Sequence, residues 1–177
     1  MEAKGADFNK LTIQNIGFSD PLALIAEKKI DLAWIFYGWQ GIQAQQQGID
    51  LNVVMMKDYF NVIPDYYTPV VITNESMIAS KPAVVKAFMK AISQGYDFAI
   101  QNPDASAQIL LGAAPELDPA LVKASQEWLS PYYKAEAPRW GEQKASVWQG
   151  YIDWMVEHSI LPAPITVADA FTNKFLP

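Results

Sequence analysis

The stretch Asp31-Leu32-Ala33-Trp34-Ile35-Phe36-Tyr37-Gly38-Trp39-Gln40-Gly41 decides how this chain reads. Its first part is a short apolar run without alternation, the pattern of a strand covered on both faces. Its last five residues put two glycines and two aromatic rings just ahead of a helix-like segment. On this reading Tyr37–Gly41 lies at the carboxyl end of a parallel strand, the place where open α/β sheets bind ligands.

Working outward, Leu11-Thr12-Ile13-Gln14-Asn15-Ile16 alternates apolar and polar residues as a strand does. Ser19-Asp20-Pro21 predicts a helix start, with proline in the first turn and Leu22, Ile25 and Ala26 on the buried face. A helix from Trp39 to Gln47 is predicted to stop at Gly48, and Leu51 to Met56 reads as a third strand. Strands and helices alternating at this spacing imply a parallel sheet with right-handed crossovers. Residues 57–69, with two prolines and three tyrosines, break the pattern and read as a crossing between two units. Val70-Val71-Ile72-Thr73 reads as a fourth strand, and the chain beyond it is helical.

In that helical part, Pro82 opens a long helix with Val84, Phe88, Ala91, Ile92 and Ala99 at helical spacing, ended by Asn102-Pro103. Asp104 is expected to cap a short helix, and Asp118-Pro119 to open another with Leu121, Ala124 and Trp128 on one side. Residues 141–160 form an amphipathic helix carrying Val147, Tyr151, Trp154 and Met155, and Thr166 caps a last one. Trp34, Trp128, Trp148 and Trp154 fall within periodic apolar patterns and read as core; Trp140 is open to either a core or a site role. Gln45-Gln46-Gln47 reads as a solvated helix face.

Composition narrows the function. Of 177 residues, 51% are hydrophobic and 18% charged, enough apolar material for a sizeable core. The formal net charge of -6 with scattered basic residues argues against a nucleic-acid partner, which needs clustered Lys and Arg. The chain has no cysteine, so disulfides, thiolate metal sites and cysteine nucleophiles are excluded within it. It opens on a polar run rather than an apolar signal segment; alone this reads as cytoplasmic, whereas in a fragment it says nothing about export. Glu2 and Asp7 read as solvated carboxylates.

No catalytic machinery is visible. There is no nucleophile elbow, no phosphate-cradling glycine loop and no dinucleotide fingerprint. His158, the lone histidine, reads as a helix-packing or helix C-terminal residue, so no catalytic residue, metal site or cofactor is expected. Binding chemistry is better represented. Tyr37 and Trp39 offer flat faces, Gln40 both donates and accepts, and Gly38 and Gly41 permit close backbone approach. Trp39 either stacks on a ligand or packs the helix start. Phe18, in Gly17-Phe18-Ser19 after the first strand, would face the same crevice, and one of Tyr66 and Tyr67 would point into a cleft while the other packs.

At these residues the chain resembles a known family. Gly5 through Thr12, Ile16-Gly17-Phe18, Lys29 through Ala33, Pro64 through Val70 and the run from Lys81-Pro82 to Asn102-Pro103 are similar to the second half of NMT1/THI5-like substrate-binding proteins, especially those binding thiamine-pyrimidine precursors. The resemblance implies part of a type II periplasmic-binding-protein-like α/β fold: a parallel-sheet remnant of the second lobe plus the returning strand and helices of the first. Residues 1–58 would be the remainder of the second lobe, 59–69 the hinge, and 70–177 the part belonging to the first lobe, with the opening of the protein absent. Uncovered sheet edges then imply self-association of the truncated chain.

The resemblance also implies a function: the solute-binding component of an ABC importer, partnered by permease and ATPase subunits, and in its full-length form periplasmic or an extracellular membrane-anchored lipoprotein. The ligand-binding rings would be Tyr37 and Trp39, with Tyr66 and Tyr67 at the hinge. Family members that bind aminopyrimidines tend to carry glutamate where this chain has Gln40, so a flavin, another heteroaromatic or a sulfonate-type ligand stays open. Two alternatives stand beside this: a pyrimidine-synthase-like enzyme of the same superfamily, and a helical interaction module with no small ligand.

Overall fold

A computed structural model describes Gly5 and residues 7–177. The polar start at residues 1–4 and 6, including Glu2, lies outside the described residues. The chain divides into two compact units, Met1–Val53 and Val54–Pro177.

In the first unit, Asp20 caps α1 (Pro21–Ala26), its carboxylate accepting from the Leu22 N–H at 2.9 Å. Leu22 is fully buried, but Ala26, expected on the same buried face, is exposed, because α1 ends before its second turn is covered. The predicted helix over 39–47 forms as a wide π turn, Tyr37–Gly41, running into α2 (Ile42–Gln46). It stops where predicted. Gly48 adopts φ +67, a left-handed conformation that lets the Ile49 N–H reach back to the Ala44 carbonyl. Ile42 and Ala44 are buried, while Gln45, Gln46 and Gln47 face solvent.

The second unit is built from helices. α3 (Glu75–Ser80) is capped by Asn74, whose side chain accepts from the Met77 N–H. α4 (Pro82–Gln101) and α5 (Pro103–Ala113) each begin at a proline, where the missing N–H is harmless. α5 packs on α6 (Pro119–Leu129), whose cap Asp118 accepts from Leu121 N–H at 2.8 Å. Asp104 does not cap α5 as expected. It lies in the first turn, where its charge still suits the helix dipole, and pairs with Lys123 of α6 at 3.3 Å. α7 spans Ala145–Glu157, shorter than the predicted 141–160, and α8 is Val167–Ala170, with Thr166 at its cap position but making no capping bond.

A polar knot joins α4 to α6. Gln126 Nε2 donates to the Ala99 carbonyl at 3.3 Å, the Ser130 hydroxyl lies between that carbonyl at 3.2 Å and its nearer acceptor, the Gln126 carbonyl, at 2.7 Å, and Tyr133 Oη donates to Gln126 Oε1. Elsewhere in the second unit Ala107, Leu121, Val122 and Ile152 are buried, as are Phe175 and Leu176 at the C-terminal end. Burial pushes the Tyr133 hydroxyl above its ordinary value, with Tyr96 nearby acting in the same direction and the Gln126 hydrogen bond opposing.

The expected parallel sheet is absent: the described residues contain no strand. Residues 11–16, 31–36, 51–55 and 70–73 carry neither helix nor ladder, and Met56 begins a short 3-10 turn, Met56–Tyr59. Their β-prone composition is real, but a strand exists only as a member of a pair, and the backbone bonds these runs make are local turn bonds at their ends rather than a ladder with another run. The side chains record the same fact. Ile13, Leu32, Trp34 and Ile72 stand 78%, 75%, 63% and 85% exposed, so Trp34 is not core. The α/β expectation is therefore corrected to an arrangement in which helices are the only regular elements among the described residues. None of the helices is long and apolar enough to cross a membrane.

Two measurements check this packing. Ile152→Ala should cost about 2–4 kcal/mol in denaturant unfolding, because it opens a cavity, whereas Ile160→Ala, at an exposed site, should cost under about 0.5 kcal/mol. Tyr133 holds its proton more tightly folded than unfolded. Its stabilising contribution is thus complete below pH 10, the ordinary tyrosine value, and falls as pH rises above it. Tyr133→Phe should flatten the decline of melting temperature between neutral and strongly alkaline pH.

Candidate functional site

The Tyr37–Gly41 turn is the most constrained feature of the first unit. The Phe36 carbonyl accepts from both the Trp39 and Gln40 N–H groups, and the Ile42 N–H reaches back to Trp39 and Tyr37 carbonyls. Gln40 folds over the turn so that its Oε1 accepts from the Phe36 N–H at 2.9 Å. Tyr37 Oη accepts from Gln45 Nε2 at 2.8 Å, tying the turn to α2. Gly38 and Gly41 are buried beneath, while Tyr37, Trp39 and Gln40 are half-exposed.

Gly41 is required by space. A Cβ there would come 2.5 Å from Tyr37 Cδ2, with further ring carbons under 3 Å, so the glycine lets the ring lie flat on the backbone. Tyr37 also borders a small hollow of about 150 Å³ with Ala44, Gln45, Ile49, Asp50 and Leu51. Trp39 and Gln40 are not part of its wall. The amide of Gln40 is therefore partly used: its oxygen accepts one bond from the backbone, and its NH₂ is left to donate.

The other sequence candidates fall elsewhere. Phe18 is fully exposed on the Gly17–Phe18 turn, where Gly17 takes φ +58 and its N–H bonds Asn15 Oδ1. Tyr66 and Tyr67 lie in the second unit and both make internal contacts. Tyr66 stacks on Tyr151 with ring centres 4.7 Å apart, and Tyr67 Oη accepts from the Lys144 N–H at 2.8 Å while tilting against Trp148. The Tyr66 stack continues through Trp154 to His158, whose Nδ1 lies 2.9 Å from the Trp154 carbonyl at the end of α7.

Sequence reasoning missed two things here. The aromatic series along α7 joins residues 66, 151, 154 and 158, a grouping that only the third dimension assembles, although the i, i+3 and i+4 spacing of the last three was visible. A second, larger cavity of about 520 Å³ lies in the second unit, with Trp140, Tyr96 and Phe88 in its wall; Trp140 stacks on Tyr96 at 4.3 Å. Its apolar lining resembled ordinary core in the sequence.

What these groups can do chemically is stack on a flat ring and donate to its edge. Among the described residues there is no cluster of three or more His, Asp or Glu placed to hold a metal. The family profile described as NMT1/THI5 like matches residues 1–106, more than half of the 177, and the chain belongs to that family of substrate-binding proteins.

Two characterised relatives are similar over almost the whole chain. The formylaminopyrimidine-binding protein of Halalkalibacterium halodurans is 27% identical over 177 residues, covering 98% of this chain and 53% of the relative. The riboflavin-binding protein RibY of Chloroflexus aurantiacus is 28% identical over 181 residues, covering 99% of this chain and 50% of the relative. The chain thus spans about half the length of the relatives it matches.

The fit at Gly41 is checked by substitution. Gly41→Ala should destabilise the chain by about 1–3 kcal/mol by displacing the Tyr37 ring. Gly95→Ala, in α4 with open space around it, should instead stabilise by about 0.5–1 kcal/mol in the same unfolding assay.

Proposed function

We propose that this chain is part of a solute-binding protein of an ABC importer and that it takes a small heteroaromatic ring at the Tyr37–Gly41 turn. The observation that carries the reading is the turn itself. Two aromatic rings and an amide donor are held half-exposed on buried glycines by a closed set of backbone bonds, so little ordering cost remains when a ring binds. Membership of the NMT1/THI5-like family supports it, as do relatives named for binding a formylaminopyrimidine and riboflavin. Both relatives are binding proteins, and the reading assigns no catalytic residue to this chain.

Gln40 points to the ligand class. With its oxygen bound to the Phe36 N–H, the group it offers is an NH₂ donor, which suits a ring edge rich in carbonyl or ring-nitrogen acceptors. A flavin-type ring presents such an edge, whereas an aminopyrimidine edge offers N–H donors that a carboxylate receives better. Flavin-like rings therefore rank above thiamine-pyrimidine precursors as ligands. Phe18, Tyr66 and Tyr67 enter as secondary candidates. Permease and ATPase subunits would be the partners, with the whole protein acting outside the cytoplasm, and a second copy of the chain is a further partner.

Titration with riboflavin should quench tryptophan fluorescence saturably, and Trp39→Ala should remove that response while leaving the circular dichroism unchanged. Gln40→Glu keeps an oxygen for the Phe36 N–H and supplies a second one. It should weaken riboflavin binding roughly tenfold and strengthen binding of an aminopyrimidine, a change of about 1.4 kcal/mol in each direction. Undiminished quenching in Trp39→Ala would remove the turn from the site.

A further inference from the structure

Asp50 borders the small hollow beside Tyr37, and ring stacking on the Tyr37–Gly41 turn makes no use of it. Its position follows from the helix stop two residues earlier. Gly48, at φ +67, turns the chain back, and the Ile49 N–H bonds the Ala44 carbonyl at 2.9 Å. Ile49, Asp50 and Leu51 therefore return beside Ala44 and Gln45 of α2, and together they line the hollow. All of its lining residues belong to the first unit. At about 150 Å³ it is well below the roughly 300 Å³ at which pockets begin to take a whole drug-sized ligand. It has room for an appendage of a ring, not for a second ring system.

The polar groups around the hollow lean towards accepting. Asp50 is exposed, and its carboxylate enters none of the ion pairs found among the described residues, which join Lys29, Lys123 and Arg139 to other acids. Gln45 gives an N–H to Tyr37 Oη at 2.8 Å, while its oxygen stays an acceptor. No lysine, arginine or histidine lines the hollow. Acceptors without cations call for a guest that brings donors and no negative charge. Hydroxyl groups meet both conditions, because a carboxylate takes O–H donors in charge-assisted bonds. A phosphate meets neither, and the net charge of -6 adds to its repulsion.

Gln40 and Asp50 thus bring opposite chemistry to one unit, an NH₂ donor for a ring edge and a carboxylate acceptor for what the ring carries. We propose that Asp50 selects a flat ring bearing an uncharged polyhydroxyl chain, with the ring on the Tyr37–Gly41 turn and the chain in the hollow. The same carboxylate rejects that molecule once its chain is phosphorylated, a repulsive element of specificity beside the attractive one. This rests on the ring-binding reading of the turn and adds the tail to it.

Tryptophan fluorescence titrations of the 177-residue chain with three flavins test it. Riboflavin carries a polyhydroxyl chain, lumiflavin has the same ring with a methyl group in its place, and flavin mononucleotide ends the chain in a phosphate. Riboflavin should bind roughly tenfold more tightly than lumiflavin, and flavin mononucleotide at least tenfold more weakly than riboflavin. Asp50→Ala should bring riboflavin down to the level of lumiflavin. Asp50→Asn, which keeps an acceptor oxygen and loses the charge, should hold riboflavin within about threefold and strengthen flavin mononucleotide roughly tenfold. Equal affinity for riboflavin and lumiflavin, a phosphorylated chain bound as well as the free one, or an Asp50→Ala variant weakened alike towards both rings would overturn the role of Asp50 while leaving ring binding at Trp39 in place. Failure of all three flavins to quench would overturn the ring site, and the tail site with it.

Discussion

Backbone amides must be paired, and in this chain the regular elements pair them within themselves. A helix needs only residues four positions away, plus a cap at each end. That constraint explains why order is densest where caps and prolines sit. Asp20, Asn74 and Asp118 each spend a side-chain oxygen on a first-turn N–H, and Pro21, Pro82, Pro103 and Pro119 occupy first-turn positions where the lost donor is free of cost. Side chains also tie distant parts of the second unit together, Gln126 against the Ala99 carbonyl, Asn173 against the Gln143 backbone and Tyr67 against the Lys144 amide.

The same constraint governs the aromatic turn. A π turn leaves its amides wider apart than an α-helix does, and here Gln40 and the Phe36 carbonyl take up the slack. Rigidity at Tyr37 and Trp39 therefore follows from hydrogen bonding inside a few residues and from the absence of a side chain at Gly41. A stacking surface assembled this way does not depend on a sheet beneath it, which is why the loss of the expected strands leaves the candidate site intact within its own unit.

The parts of the fold that were legible in the sequence are those with short-range causes. The start of α1 at Pro21, the stop at Gly48, the long helix from Pro82 and the opening of α6 at Asp118-Pro119 were all readable, because each depends on residues within one turn. Asp104 shows the limit even at that range: a carboxylate near a helix start can serve the dipole and a neighbouring lysine instead of the cap. Family membership was also legible, carried by stretches such as Pro64 through Val70, and the matching profile covers residues 1–106.

Sequence alone thus determined the starts at Pro21, Pro82 and Asp118-Pro119, the stop at Gly48, that Tyr37, Trp39 and Gln40 stand together ahead of a helix, and which family the chain joins. Tertiary structure alone decided that Val70–Thr73 and its counterparts stand unpaired, that Trp34 is exposed, and that Tyr66 lies on Tyr151 while Tyr67 bonds the Lys144 amide. The physical reason is range. Helix boundaries and turns are settled by groups a few residues apart, whereas a strand, a ring stack or a buried tryptophan exists only when a distant part of some chain comes to meet it.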